Sequence, residues 1–195
     1  MTRLLESVRE IVDPSRITEL PGELTEESAT SRCGPVRVRH AGASWALRLK
    51  DGDHLPVLAE LSKERSVRRL PDYVVFSEPR SPAQRPDDVA LNILVCELKS
   101  SVAGAASAWA QVQLGKLLAE YLVRVAVHSL GESEVPGLWC CGLIASPELP
   151  TNMVAKGNTR PGRVEHPNKF DKLTRMRVYY VPGGGEIHLE SFFSS

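Results

Sequence analysis

The sequence predicts an α/β fold with a central mixed β-sheet flanked by helices, and three observations carry that expectation. Two apolar runs, 73–76 and 89–96, are joined by a proline-rich stretch; a helical pattern covers 103–127; and a further apolar run covers 138–145. The run 89–96 is apolar on both faces, which suits a central strand. Joined to 138–145 through a helix, it should form a right-handed parallel crossover, while 72–76 beside it pairs antiparallel.

Each element has its own signal. Leu4, Leu5, Val8, Ile11 and Val12 recur at helical spacing and Asp13-Pro14 stops them, predicting a helix over about 2–12. Residues 20–28 carry helix-start residues but few apolar ones, so a loop or a short helix is expected. Alternation at Val36 and Val38, then at Trp45, Leu47 and Leu49, with Gly42 between, predicts a β-hairpin. Residues 56–61 fit one helical turn or a strand. The stretch 79–88 holds three prolines and reads as a surface loop. In the long helix, Ala106, Trp109, Ala110, Val112, Leu117, Leu118, Tyr121 and Leu122 predict deep burial, with Trp109 and Tyr121 in the core, and Gly104 and Gly115 as weakening residues. After a polar stretch at 147–175, Met176, Val178 and Tyr180 alternate, as do Ile187 and Leu189, around Gly183-Gly-Gly185. That predicts a final hairpin. A single domain over 1–195 is expected, with its core at about 34–146 and a basic loop and hairpin at 147–195.

Composition narrows the function classes. The 195 residues carry 24 basic and 24 acidic side chains, so affinity for a polyanion must come from local patches. Cys33, Cys96, Cys140 and Cys141 show no zinc spacing and read as reduced cysteines, Cys96 and Cys140 in buried strands. No run approaches the roughly 18 apolar residues of a spanning helix, so a cytoplasmic protein without membrane association is expected. The five histidines, His40, His54, His128, His166 and His188, have no partner spacing and default to surface or packing roles.

The chemistry concentrates at two strand ends. Antiparallel pairing of 72–76 with 89–97 sets Asp72 beside Glu97, about 5 Å apart. Period two puts Glu97 and Lys99 on one side and turns Leu98 to the other. Two buried carboxylates repel unless a proton or a cation lies between them, and their hard oxygens suit Mg²⁺ or Mn²⁺. Such an ion polarises a phosphoryl oxygen and acidifies water, and a lysine beside it can orient that water or stabilise charge on phosphorus. Asp87 begins the strand that Glu97 ends, some 30 Å away at about 3.3 Å per residue, and cannot share the ion.

Pro71-Asp72 followed by Glu97-Leu98-Lys99, set in a strand, loop, strand, helix, strand order over about 66–145, resembles the PD-(D/E)xK nuclease superfamily with its restriction-endonuclease-like core. The resemblance implies a metal-dependent phosphodiester hydrolase in which Asp72 and Glu97 bind Mg²⁺ or Mn²⁺ and Lys99 assists the water. It implies a site glutamine on the helix, for which Gln113, followed by Leu114, fits better than Gln111. Leu117 stands where some exonuclease branches have a tyrosine, so the chain departs from that pattern. Members often add an upstream glutamate; Glu23, Glu26, Glu27, Glu60 and Glu64 are the choices, with Glu60 preferred.

Nucleic acid, DNA rather than RNA by family habit, is the expected partner. Arg68, Arg69, Gln111, Lys156, Arg160, Arg163, Lys169 and Lys172 are the candidate contacts, the last five within a basic stretch at 156–177. Targeting through a homodimer or a partner protein, as in bacterial defence or repair, would compensate for the neutral net charge. The alternative is a catalytically inactive subunit of the same fold that binds protein or nucleic acid.

Overall fold

The computed structural model describes residues 2–26, 31–49, 70–79, 89–99, 105–147, 164–165 and 176–193. In chain order these form α1 (Arg3–Glu10), β1 (Ile17–Glu19), β2 (Gly22–Leu24), β3 (Val36–Arg39), β4 (Ser44–Arg48), β5 (Tyr73–Ser77), β6 (Val89–Leu98), α2 (Ala105–Ser129), β7 (Gly137–Ser146), β8 (Val164–Glu165), β9 (Arg177–Pro182) and β10 (Glu186–His188). Short 3₁₀ turns follow α1 at Pro14–Arg16 and β10 at Leu189–Phe192.

A mixed sheet runs in the order β1-β4-β5-β6-β7-β9-β8, six strands of three or more residues and the two-residue β8 at one edge. The expected topology at its centre is present: β5 pairs antiparallel with β6, and β6 pairs parallel with β7 across α2. The ten residues of β6 are almost wholly buried, as a run apolar on both faces requires.

Alternation along the strands divides the core into two layers. Trp45, Leu47, Val74, Phe76, Leu91, Ile93 and Val95 face α1 and α2. Ala46, Tyr73, Val75, Leu94, Cys96 and Leu98 face a second sheet, β10-β3-β2, and the turn at Leu189–Phe192. All four cysteines are buried and outside disulfides, Cys96 and Cys140 within strands as expected.

Four sequence expectations require correction. Residues 36–39 and 44–48 are not hairpin partners: β3 lies in the small sheet and β4 in the large one. The loop-or-helix segment at 20–28 contains β2, reached through a cis Leu20-Pro21 bond. The final hairpin is likewise split, with β9 in the large sheet and β10 parallel to β3 in the small one. Alternation marked β3, β4, β9 and β10 correctly but is silent on which layer a strand joins. Gly184, at φ +80°, lets the chain cross between layers, and its N–H bonds the Gly34 carbonyl at 3.0 Å. Finally, Leu117 and Tyr121 of α2 are 53% and 62% exposed. The inward stripe of α2 is Ala108, Val112, Ala119, Val123 and Ala126, small residues that let the helix lie close to the sheet and leave the larger two outside.

Gly115 belongs to that stripe and does more than weaken the helix. A Cβ there would meet Val95 Cγ1 and fall 2.5 Å from Pro71 Cγ. Its absence seats α2 directly on the segment that leads into Asp72. Residues 56–61 and the loop at 80–88 lie outside the described residues.

Candidate active site at the ends of the central strands

Tyr73 faces Cys96 in the β5–β6 ladder, so one further step sets Asp72 opposite Glu97. Side chains complete this corner where backbone pairing ends. The Asp72 Oδ2 accepts from the Leu98 N–H at 2.6 Å, and the Asp72 N–H donates to Glu97 Oε2 at 3.2 Å. Neighbouring strands fix the backbone on both sides: the Leu49 N–H bonds the Asp72 carbonyl, and the Lys99 N–H bonds the Ala145 carbonyl, each at 2.8 Å. A side-chain oxygen of aspartate lies within about 5 Å of its own nitrogen, so the two carboxylates are within about 8 Å.

Because Ile93 and Val95 face the helices, period two sends Glu97 and Lys99 to the same side and Leu98 to the small sheet, as expected. Glu97 is 2% exposed and pairs with Lys99. Burial first, and the Asp72 charge second, push its carboxyl up to about 8, with Lys99 acting in the opposite direction. One lysine does not compensate for the second carboxylate.

The Lys99 ammonium also donates to Gln111 Oε1 at 2.7 Å, and Gln111 Nε2 donates to the Leu70 carbonyl at 3.2 Å. Gln111, one of the expected nucleic-acid contacts, is therefore a buried member of the corner. Gln113, the expected site glutamine, lies two residues on, about 200° around the helix, and is half-buried on another flank. The signal that distinguishes them was present in the sequence: Gln111 is one turn from Gly115 and shares its inward stripe.

The oxygen donors of Asp72 and Glu97 fit a divalent cation of the Mg²⁺ or Mn²⁺ type, whose charge would oppose the burial and the like charge that raise the Glu97 carboxyl. Among the described residues no group of three or more histidine, cysteine, aspartate or glutamate side chains converges. Glu60, the preferred third ligand, and Glu27 and Glu64 lie outside the described residues. Glu23 pairs with Arg37 on the small sheet, and Glu26 accepts from Ser31. Arg68, Arg69, Lys156, Arg160, Arg163, Lys169 and Lys172 also lie outside the described residues. Among the described residues no helix is long and apolar enough to cross a membrane. Compared with protein-family models, curated proteins and solved structures, the chain matches none of them.

Proposed function

We propose that the protein is a metal-dependent nuclease with a restriction-endonuclease-like core, hydrolysing phosphodiester bonds in nucleic acid, DNA in the first instance. The observation that supports this reading is the meeting of Asp72, Glu97 and Lys99 on the helix side of adjacent strand ends. Isolated acid and lysine motifs are common in sequence; their meeting in one half-buried corner is not a property of the motifs themselves.

In this reading Asp72 and Glu97 hold a Mg²⁺ or Mn²⁺ ion, which supplies Lewis acidity toward a phosphoryl oxygen and lowers the pKa of water. Glu97 then stays ionised without repelling Asp72. The Lys99 ammonium, on the same face, orients the attacking water or balances charge that develops on the phosphoryl oxygens. Water adds to phosphorus as the bond to the leaving oxygen breaks, giving a phosphate monoester and a hydroxyl. Net neutrality leaves substrate capture to a local basic surface, a second copy or a partner protein.

The decisive experiment incubates the protein and its Lys99→Ala variant with supercoiled, linear and single-stranded DNA and with RNA, in Mg²⁺, Mn²⁺ or EDTA. Cleavage that requires the ion and falls about 10²-fold or more in the variant is expected. Equal cleavage by both proteins would remove Lys99 from the mechanism. No cleavage of any substrate, with no Mn²⁺ binding, would favour the inactive-subunit alternative.

A further inference from the structure

Lys99 is held by two acceptors that differ in kind. Glu97 offers a carboxylate whose charge a bound cation would draw away, whereas Gln111 offers a neutral amide oxygen at 2.7 Å. The orientation of that amide is settled by its other end. Nε2 faces the Leu70 carbonyl at 3.2 Å, so the reversed amide would set oxygen against oxygen and NH₂ against the ammonium. Gln111 is only 6% exposed, which removes water as a competing partner. One turn further along α2, Gly115 rests against Pro71 and Val95. The helix thus touches the segment before Asp72 at Leu70 and at Pro71, and touches Lys99 through the same glutamine.

We propose that Gln111 is a positioning residue that keeps Lys99 in the corner when Glu97 gives up its ion pair, and that it ties this retention to Asp72 through the Leu70 carbonyl. The purpose of the device rests on the nuclease reading. Its existence does not, because replacing Glu97 by glutamine weakens the ion pair without any metal. A simple packing role for Gln111 predicts something different: its loss would then free Lys99 to the same degree whatever Glu97 carries.

The test measures acetylation of Lys99 by trace acetic anhydride in the full chain, read by mass spectrometry against a denatured standard. Wild type, Glu97→Gln, Gln111→Met and the double variant are compared, methionine preserving the length and packing of Gln111 while removing both of its bonds. Each single change is expected to raise Lys99 labelling by about 3-fold or less, and the double change by well over the product of the two, about 30-fold or more, as coupled partners require. A product of independent effects would overturn the proposal, as would full release by Gln111→Met alone. Should the double variant fail to fold, Glu97→Gln with Gln111→Glu takes its place. It restores an acceptor for Lys99 and removes the donor to Leu70, so continued protection of Lys99 supports retention and release overturns it. Adding Mn²⁺ to Gln111→Met provides a separate arm. Release there matches a cation at Glu97, while absence of any Mn²⁺ response counts against the metal reading and leaves the Glu97→Gln cycle to decide retention.

Discussion

Glu97 and Glu190 both face a basic side chain, yet their electrostatics run in opposite directions. Burial raises the carboxyl of each, but at Glu190 hydrogen bonds from backbone N–H groups, its own and that of Ala41, together with His40, outweigh it and leave the carboxyl below its ordinary value. Ala41 N–H lies 3.2 Å and His40 Nδ1 3.1 Å from Glu190 Oε1. At Glu97 the added neighbour is Asp72, a like charge, and the carboxyl is pushed up to about 8. In one corner the carboxylate meets the Ala41 N–H and His40 Nδ1 and fastens the turn at Leu189–Phe192 to the chain after β3. The other is left in conflict. The surroundings of each carboxylate thus set the direction of its shift: hydrogen-bond donors lower Glu190, whereas burial and a like charge raise Glu97.

The largest expected contrast is in cleavage. On the proposed nuclease reading, Asp72→Asn or Glu97→Gln should lower metal-dependent cleavage by about 10³-fold, since each would remove a proposed ligand worth several kcal/mol in the transition state. Glu190→Gln should leave cleavage within about 2-fold of wild type, because it lies outside the corner. An equal loss in both, measured on the same substrate, would erase the distinction.

Stability against pH should separate them next. With its folded value near 8 against an ordinary 4.5, Glu97 binds its proton more tightly in the folded state. In metal-free buffer its contribution is therefore most favourable below about 4.5 and is lost as pH rises through about 8. Glu97→Gln, which resembles the protonated form, should gain stability relative to wild type across that window in urea unfolding. Mn²⁺ competes with the same proton, so its apparent affinity should climb with pH up to about 8. A flat affinity, measured by calorimetry, would argue that Glu97 is not a ligand.

Gly115→Ala asks how closely the corner depends on α2. The added methyl meets both Val95 and Pro71, so both contacts must open, at a cost of about 1–3 kcal/mol. Cleavage should fall more than the change in unfolding midpoint explains, because Pro71 immediately precedes Asp72. Alanine at Ser129, at the far end of the same helix, provides the control for helix stability alone.

How far these features were legible in the sequence depends on the range of the signal. Asp72, Glu97 and Lys99 could be placed because alternation within a strand and the antiparallel register of its neighbour fix them locally. The contacts of Gln111 to Lys99 and Leu70 were not foreseen because a motif pair, Gln113-Leu114, outweighed the helical stripe that already held Gly115. The exchange of β3 and β10 into a second sheet was not legible, since their alternating patterns fit either layer. The sequence allowed His40 a packing role, which its 1% exposed side chain fills, but not its partner, which is 150 residues away and announced by no local pattern.

The smallest expected effect lies at that pair. Glu190 has a folded value below its unfolded one, so its contribution is present above the ordinary carboxylate range and is lost as pH falls through the folded value. Glu190→Gln should cost about 1–2 kcal/mol near pH 7, from weakened charge-assisted bonds to Ala41 and His40, and progressively less as pH falls through the folded value and wild type takes up its own proton. Its pH profile should therefore oppose that of Glu97→Gln, which becomes more favourable as pH rises. The two profiles share one chain, one solvent and one unfolded state, so a common artefact would move them together. Opposite slopes would follow if burial and the Asp72 charge outweigh Lys99 at Glu97 while backbone hydrogen bonds and His40 outweigh burial at Glu190.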